Sequence, residues 1–252
     1  MYFSNIHFCP SEVSVMHRII QKIALYGDSL FRGVVLSSDN HRYRISHGID
    51  IEGIARQYAL EVSNNSKFGY TIDRGFSVLR RNLEQGAHYD AVLLEYGGND
   101  CNFDWAKVAA APDENHDPCT PRPLFHKIYV EIIAYLRDRG ITPVLSTLPP
   151  LCPERFLNWV CRDGVNSAHV LHWLGDVGAI YRYQEMYSRE VERIAQETGA
   201  PIIDIRGAFL EQRRLGDFMC EDGMHPNERG QHLIHTVISD FAEQKKDLFL
   251  PA

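Results

Sequence analysis

Three side chains at opposite ends of the sequence could together perform nucleophilic catalysis. Ser29 lies in the string GDSL (27–30), and Asp222 and His225 lie near the other end in DGMHP (222–226). A serine hydroxyl is a weak nucleophile at neutral pH and needs a base, commonly a histidine that a carboxylate orients. On one short loop, Asp222 can accept the Nδ1–H of His225 and leave Nε2 to face Ser29. This chemistry requires that folding brings the two ends together.

Two further residues could bind the negative charge that such a reaction creates. Attack on a carbonyl carbon generates an oxyanion, and each hydrogen-bond donor aimed at it contributes about 3 to 4 kcal/mol. Gly69, in the stretch NNSKFGYT (64–71), would let the backbone approach closely, and Asn99, in YGGNDC (96–101), offers a neutral side-chain donor. With the backbone N–H of Ser29, three donors would meet one oxygen.

The elements that must position these residues alternate between strands and helices. Ser29, Gly69 and Asn99 each follow an apolar segment, so we expect them at the carboxyl edge of a parallel sheet, where open α/β sheets bind ligands. The segments with the composition of buried strands are 22–26, 58–63, 89–96, 142–147 and 200–205. We expect the Ser29 loop to lead into a helix; capping that helix is the alternative role of Asp28 and Ser29.

Helical patterns fill the intervals between the strands. Thr120 and Pro121 predict a helix start that Gly140 ends, a second helix stops at Gly199, and a third follows His225-Pro226. The segment 149–181 is too long for a simple connection and too apolar for a disordered one. We expect it to form short helices over the carboxyl end of the fourth strand.

The composition predicts one globular domain spanning residues 1–252, with residues 1–18 as an arm and 149–181 as a helical insert. A net charge of −7 without a basic run argues against non-specific nucleic-acid binding. Charged and polar side chains interrupt the first twenty residues, so we expect neither a signal peptide nor a membrane span but a cytoplasmic protein. The role of residues 1–15 and the oligomeric state stay open.

Neither the cysteines nor the histidines form a convincing metal site. The six cysteines include no Cys-x-x-Cys pair, which favours reduced thiols. His169 and His172 form a His-x-x-His, but no second ligand pair accompanies them, so helix-surface histidines are favoured over a metal site. We expect no metal and no cofactor.

Together, four segments resemble the GDSL, or SGNH, hydrolase family. They are GDSL (27–30), the stretch around Gly69, GGND (97–100) and DGMHP (222–226), in the family's order and each at the expected place in the pattern of elements. The resemblance implies Ser29 as nucleophile, His225 as base, Asp222 as orienting acid, and Gly69 and Asn99 as oxyanion donors. It also implies a flavodoxin-like three-layer α/β/α sandwich with five parallel strands. Asp28 and Asp100 are interpreted as structural.

Aromatic residues after the third strand and in the insert could line a substrate pocket. They are Phe103, Trp105, Trp159 and Trp173. The competing interpretation is that large apolar side chains pack the insert onto the sheet.

Cys101 or Cys220 could be the nucleophile in place of Ser29, but either thiol would need its own base.

The resulting hypothesis is a carboxylic-ester hydrolase that acts on small acyl or acetyl esters through an acyl-enzyme. A thioesterase or a carbohydrate O-deacetylase would use the same residues with a different pocket. A flavodoxin-like binding protein is the alternative outside enzymes, although Asp28 in the first loop would repel a phosphate.

Overall fold

The computed structural model describes residues 20–39 and 41–248. The arm predicted at residues 1–18 lies outside the described residues, and so does the unassigned segment 1–15.

Five parallel strands form a central sheet, and two others form a hairpin beside it. The strands in the described residues are β1 Lys22–Gly27, β2 Val34–Leu36, β3 Tyr43–Ile45, β4 Glu61–Asn64, β5 Ala91–Glu95, β6 Thr142–Ser146 and β7 Ile202–Ile203. The sheet order is β4-β1-β5-β6-β7, and β2 pairs with β3 antiparallel. In register, Gly27 of β1 stands opposite Glu95 of β5. This order is that of a flavodoxin-like doubly wound sheet, and the predicted α/β fold is confirmed.

Helices cover both faces of the sheet. Their bounds are α1 Ile51–Gln57, α2 Ile72–Glu84, α3 Trp105–Ala110, α4 Arg122–Arg137, α5 Pro153–Val160, α6 Ser167–Leu174, α7 Gly178–Thr198, α8 Ile205–Leu210 and α9 Glu228–Gln244. Buried apolar side chains of α2, α4 and α7 pack on one face, and those of α1, α8 and α9 on the other. Each face thus buries the apolar stripe of its helices, the physical basis of a three-layer sandwich.

Four of the five strands are shorter than the sequence pattern predicts, and in the two edge strands, β4 and β7, a residue at one end of the predicted segment serves a helix. Tyr58 is the C-terminal cap of α1; its ring is buried and its hydroxyl donates to Glu243 at 2.7 Å. At the other edge, the Asp204 carboxylate accepts the backbone N–H of Gly207 at 2.8 Å and starts α8. The chain therefore leaves β7 two residues early.

The expectation that the Ser29 loop leads into a helix is wrong. Hydrogen-bonded turns follow β1, and Val34 N donates to the Ser29 carbonyl at 2.9 Å, so the chain enters the β2–β3 hairpin. The predicted helix start at Thr120 also differs, because Pro121 occupies the cap position of α4 and makes no side-chain cap bond. The Thr120 backbone N–H instead donates to the Asp100 carbonyl at 2.9 Å.

The segment 149–181 contains α5, α6 and the first turn of α7. With α3 these helices form a cluster of buried apolar side chains of their own, which includes Phe103, Trp105, Phe156, Val170 and Ile180. This cluster lies beyond the carboxyl ends of β5 and β6 and forms a wall beside the loops that carry Ser29 and Asn99.

Candidate active site

The structure brings Ser29, His225 and Asp222 into one hydrogen-bonded line. Nε2 of His225 lies 2.9 Å from Oγ of Ser29, and Nδ1 of His225 lies 2.7 Å from Oδ2 of Asp222. Asp222 is fully buried, His225 nearly so, and Ser29 partly exposed. These distances allow a proton to pass from the hydroxyl to the imidazole while the carboxylate fixes the ring.

The loop that carries Asp222 and His225 is held by its own backbone and by the insert. Gly223 has φ +70°, and a Cβ there would come within 2.6 Å of the Cys152 carbonyl at the start of α5. Cys152 N donates to the Gly223 carbonyl at 2.8 Å, and Cys220 N donates to that of His225 at 2.8 Å. Only glycine fits this close approach in a left-handed conformation.

The environment of Asp222 favours its charged form. Burial alone would raise the pKa of this carboxyl, but hydrogen bonds and charge from His225 and the Met224 N–H outweigh burial and lower it. Oδ1 accepts the backbone N–H groups of Met224 and His225, each at 3.0 Å. The helix that follows is capped by another residue, Asn227, whose side chain accepts Gly230 N at 3.1 Å.

Three hydrogen-bond donors lie around one cavity: the backbone N–H groups of Ser29 and Gly69 and the side chain of Asn99. Gly69, with φ +72°, and Asn99 both line the cavity into which Ser29 opens. The N–H groups of Ser29 and Gly69 donate to no protein acceptor within residues 20–39 and 41–248. These two N–H groups are therefore available to an oxyanion.

The Asn99 amide is already engaged by protein acceptors. Its Nδ2 donates to Oδ2 of Asp28 at 2.8 Å and to the Tyr70 carbonyl at 3.2 Å. Both partners accept only, which fixes the orientation of the amide. An oxyanion must share one of these hydrogens or displace the longer contact to Tyr70.

A buried pair of carboxyls, Asp28 and Glu95, lies beside Ser29. Asp28 Oδ1 accepts Leu30 N at 2.9 Å and so stabilises the turn that presents Ser29. Asp28 N donates to Oε2 of Glu95 at 3.3 Å. Burial raises the pKa of both carboxyls, and the charge of Asp28 raises that of Glu95 further. Both effects favour the protonated form of Glu95.

A third buried carboxyl, Asp100, supports the Asn99 loop. Burial raises the pKa of Asp100 to about 7, against the opposing effect of hydrogen bonds from Thr120 and from the backbone N–H of Ile72. Ile72 N lies 3.1 Å from its Oδ1. Asp100 thus ties the Asn99 loop to the start of α2.

The cavity beside Ser29 has a volume of about 190 Å³ and mostly apolar walls. Phe103 and Trp105 line it with residues of the insert, among them Leu151, Phe156 and Ile180. Trp173 packs behind Phe103, with ring centroids 4.9 Å apart, and Trp159 contacts Tyr43 at 6.1 Å. Among the described residues, therefore, two of the four predicted aromatics line the cavity and two pack against its surroundings.

Sequence reasoning missed two aromatic residues at the mouth of the cavity. The Tyr43 ring lies 5.0 Å from the His225 ring, and Phe68 stacks on His225 at 6.0 Å, centroid to centroid. Tyr43 lies in the β2–β3 hairpin, which was not predicted from the sequence. A signal for this hairpin is present in the sequence, because β-forming residues flank a short polar stretch, residues 37–40.

The cysteines near the site are poor nucleophiles. Burial raises the pKa of Cys220 to about 11, and the thiol accepts Leu36 N at 3.3 Å. Burial likewise raises the pKa of Cys101, whose Sγ donates to the Gly98 carbonyl. Neither thiol is within hydrogen-bond contact of His225, whose ring nitrogens bond to Ser29 and Asp222.

The two histidines of the His-x-x-His have separate partners. His169 bonds to the Ala109 carbonyl at 2.7 Å, and His172 bonds to Asp113 at 2.8 Å. Within the described ranges, no group of three or more His, Cys, Asp and Glu side chains could hold a metal ion.

No helix within residues 20–39 and 41–248 has both the length and the hydropathy that crossing a bilayer requires.

Fold and site together define a class of protein. A family model, the GDSL-like lipase/acylhydrolase family, matches residues 25–233, and the chain belongs to this family. The match includes the segments of Ser29, Gly69, Asn99 and His225.

Individual relatives are distant in sequence but similar in fold. The isoamyl acetate-hydrolyzing esterase 1 homolog of Bos taurus is 22% identical over 191 residues, which cover 73% of this chain and 70% of that protein. The lipase/acylhydrolase from Enterococcus faecalis superposes with a TM-score of 0.59 at 18% identity, covering 90% of this chain and 97% of that one. The acetyl xylan esterase AlAXEase gives a TM-score of 0.58 at 19% identity, with 87% and 98% covered.

Proposed function

We propose that this protein is a serine ester hydrolase that acts on small acyl or acetyl esters through Ser29, His225 and Asp222. The observation that carries the proposal is the line of two hydrogen bonds, 2.9 Å and 2.7 Å long, that joins the three side chains. The same arrangement activates serine for acyl transfer on several unrelated folds. Membership of the GDSL-like lipase/acylhydrolase family supports the reaction class.

In the first half-reaction, Oγ of Ser29 attacks the ester carbonyl carbon while Nε2 of His225 takes the hydroxyl proton. The oxyanion receives hydrogen bonds from the N–H groups of Ser29 and Gly69 and from Nδ2 of Asn99. The tetrahedral intermediate then breaks its bond to the leaving oxygen, which takes the proton from His225. An alcohol leaves, and the acyl group stays on Ser29.

In the second half-reaction, water takes the place of the serine hydroxyl. His225 accepts a proton from the water as its oxygen attacks the acyl carbon, and it returns that proton to Oγ of Ser29 when the acid leaves. Asp222 stays ionised throughout and stabilises the imidazolium. The lowered pKa of Asp222 supports this assignment.

The mostly apolar lining of the cavity favours an ester with apolar groups over an acetylated sugar as the substrate. Gln184, a polar side chain in the lining, has both amide atoms engaged, because Nε2 donates to the Pro149 carbonyl and Oε1 accepts from Arg206. Oδ1 of Asn102 accepts the Trp105 indole N–H at 2.8 Å. Few polar atoms are left for sugar hydroxyls. The cavity volume, about 190 Å³, is similar to that of a buried site that holds benzene, about 150 Å³, and therefore suits a small group.

The test combines active-site labelling with an ester panel. We expect a fluorophosphonate to label one serine, and we expect Ser29→Ala to abolish labelling and lower kcat on p-nitrophenyl acetate about a millionfold. Ser77→Ala, which removes an exposed hydroxyl on α2, is the control and should change neither. Undiminished turnover by Ser29→Ala would refute the mechanism.

The panel separates the remaining functions. Acetyl to octanoyl p-nitrophenyl esters, the matching thioesters and acetylated sugars are compared by kcat/KM. Faster thioester or sugar turnover would replace the proposed substrate class but keep the residues. Absence of both labelling and turnover would favour a binding protein.

A further inference from the structure

Tyr43 of the β2–β3 hairpin covers the outer side of the His225 ring. The two ring centroids are 5.0 Å apart with an interplanar angle of 60°, and Tyr43 also contacts Phe68 at 5.2 Å and Trp159 at 6.1 Å. Tyr43 is 38% exposed, so it closes the site from the solvent side and is not part of the sheet core. The ring of His225, the candidate base, therefore packs against aromatic side chains on its outer side.

The hydroxyl of Tyr43 interacts with the same carboxylate that orients His225. Burial, followed by the charge of Asp222 and hydrogen bonding to Asp222, raises the pKa of the Tyr43 phenol, while hydrogen bonding to Trp159 opposes the rise. The phenol therefore lies near the Asp222 carboxylate. Tyr43 thus packs against one member of the proposed triad, His225, and lies near a second, Asp222.

The hairpin that carries Tyr43 is attached to both halves of the site. At its start, Val34 N donates to the Ser29 carbonyl at 2.9 Å. In its first strand, Leu36 N donates to Sγ of Cys220, two residues before Asp222, at 3.3 Å. In its second strand, Arg44 pairs with Glu228 at the start of α9 at 2.7 Å. The hairpin therefore ties the nucleophile turn to the loop of the acid and base.

We propose that Tyr43 is a positioning residue that holds His225 and Asp222 in register with Ser29. The ring restrains the imidazole by packing, and the phenol lies close enough to the Asp222 carboxylate to interact with its charge. This inference rests on the proposed function. It adds a fourth side chain to the three that the hydrolase motif identifies, from a hairpin that the motif does not include.

The competing explanation is that Tyr43 is only a wall of the substrate cavity, which it does line. A wall residue would act mainly through KM, and its effect would change with acyl length. A positioning residue acts through kcat, with the same factor for acetyl and butyryl esters, because its contacts are with the enzyme's own groups.

The experiment compares Tyr43→Phe and Tyr43→Ala with the wild type on p-nitrophenyl acetate and butyrate. We expect Tyr43→Phe, which keeps the ring, to lower kcat about three- to tenfold by removing the interaction of the hydroxyl with Asp222. Tyr43→Ala should lower kcat further, by a similar factor on both esters, with KM within about twofold of the wild-type value. Tyr135→Phe on α4, whose ring packs against Phe76, is the matched control and should have no effect.

The pH profile supplies a readout that a purely structural role would not move. Without the Tyr43 hydroxyl, the Asp222 carboxylate is less neutralised and stabilises the imidazolium of His225 more strongly. The acidic limb of kcat/KM in Tyr43→Phe should therefore move to higher pH. The titratable or charged groups that face Tyr43, Asp222 or His225 from the surrounding elements are Asp28, Arg162 and Cys220. All three are unchanged in the variant, so a shift reports the hydroxyl.

The outcomes separate this inference from the proposed function. If wild-type enzyme is labelled by fluorophosphonate and Ser29→Ala is inactive, the proposed function holds whatever Tyr43 does. A kcat for Tyr43→Phe within twofold of wild type with an unmoved acidic limb would overturn the inference. So would losses in Tyr43→Ala that lie in KM and depend on acyl length.

Discussion

The side-chain nitrogen of Asn99 lies 2.8 Å from Oδ2 of Asp28, the residue that precedes Ser29 in the chain. Oδ1 of the same carboxyl accepts Leu30 N at 2.9 Å. One buried carboxyl thus orients both the turn that presents Ser29 and the proposed oxyanion donor. We infer that the acidic residue next to the proposed nucleophile holds the surrounding donors and does not itself react.

Replacing Asn99 by alanine should slow the chemical step without weakening binding of the ester. The variant removes one of three proposed donors to the oxyanion, a loss of about a hundred- to a thousandfold in kcat. KM should change little, because the donor acts on charge that develops in the transition state. Steady-state kinetics on p-nitrophenyl acetate measure both values. Asn65→Ala, on the loop after β4 but outside the cavity lining, is the control. A tenfold or smaller loss of kcat would remove Asn99 from the oxyanion site.

Substitutions of Glu95 should show whether this buried carboxyl is protonated. Its pKa is raised first by burial and then by the charge of Asp28. Glu95→Gln keeps the size of the side chain and an uncharged hydrogen-bond donor. The kcat of this variant should therefore stay within about threefold of the wild-type value, and its free energy of unfolding within about 1 kcal/mol. Glu95→Leu leaves Asp28 without its partner and should destabilise the fold by about 1 to 3 kcal/mol. Urea denaturation and kcat are measured on both variants. Equal damage in the two would mean that Glu95 acts as an anion.

Asp100 should make the protein less stable as the pH rises. Burial raises its folded-state pKa from 3.8 to about 7, so the folded protein binds this proton more tightly than the unfolded chain does. Its contribution to stability is therefore fully present below about pH 4 and is lost as the pH rises through about 7, with an upper bound of about 4 kcal/mol. Asp28 and Glu95 contribute in the same direction.

Asp100→Asn removes the charge and keeps an acceptor for Ile72 N. Relative to the wild type, this variant should gain stability between pH 5 and pH 8, which urea denaturation across that range measures. Asp138→Asn, an exposed carboxyl after α4, should leave the wild-type slope unchanged. A parallel pH dependence in Asp100→Asn and wild type would contradict the assignment.

The sequence was most informative where chemistry and strand ends coincide. Ser29, Gly69 and Asn99 each follow a strand of the parallel sheet, and strand ends can be read from short apolar runs closed by glycine. The order β4-β1-β5-β6-β7 then places these three residues at one edge. The chemistry of the residue types suggested the pairing of Ser29 with His225, and the family resemblance supported it, because local patterns cannot encode a contact across nearly two hundred residues.

The parts that were not predicted depend on contacts between distant segments. Thr120 is a residue type that caps helices, but its backbone N–H donates to the Asp100 carbonyl, a partner that spacing alone does not reveal. Tyr58 reads as part of a strand because aromatic residues favour strands, yet a hydrogen bond to Glu243 in α9 holds it at a helix end. Tyr43 lies on a strand exposed along its length, which gives no burial pattern to detect.

Leu151 should set which chain length the cavity accepts. It lines the cavity next to Phe156 but is only partly buried, so truncation should enlarge the cavity at small cost to folding. In Leu151→Ala we expect kcat/KM to rise for the longer member of a series, either hexanoyl relative to acetyl esters or longer relative to shorter alcohols. The expected rise in this ratio is about tenfold, the lower end of the range for one methylene group in an apolar pocket. Measuring both series shows whether Leu151 contacts the acyl or the alcohol part of the ester. Leu210→Ala, at a leucine that is 56% exposed on α8, is the control, because its side chain does not line the cavity. A flat response in both series would mean that the ester does not occupy this cavity, since a bound group that reaches the wall must respond to the space created there.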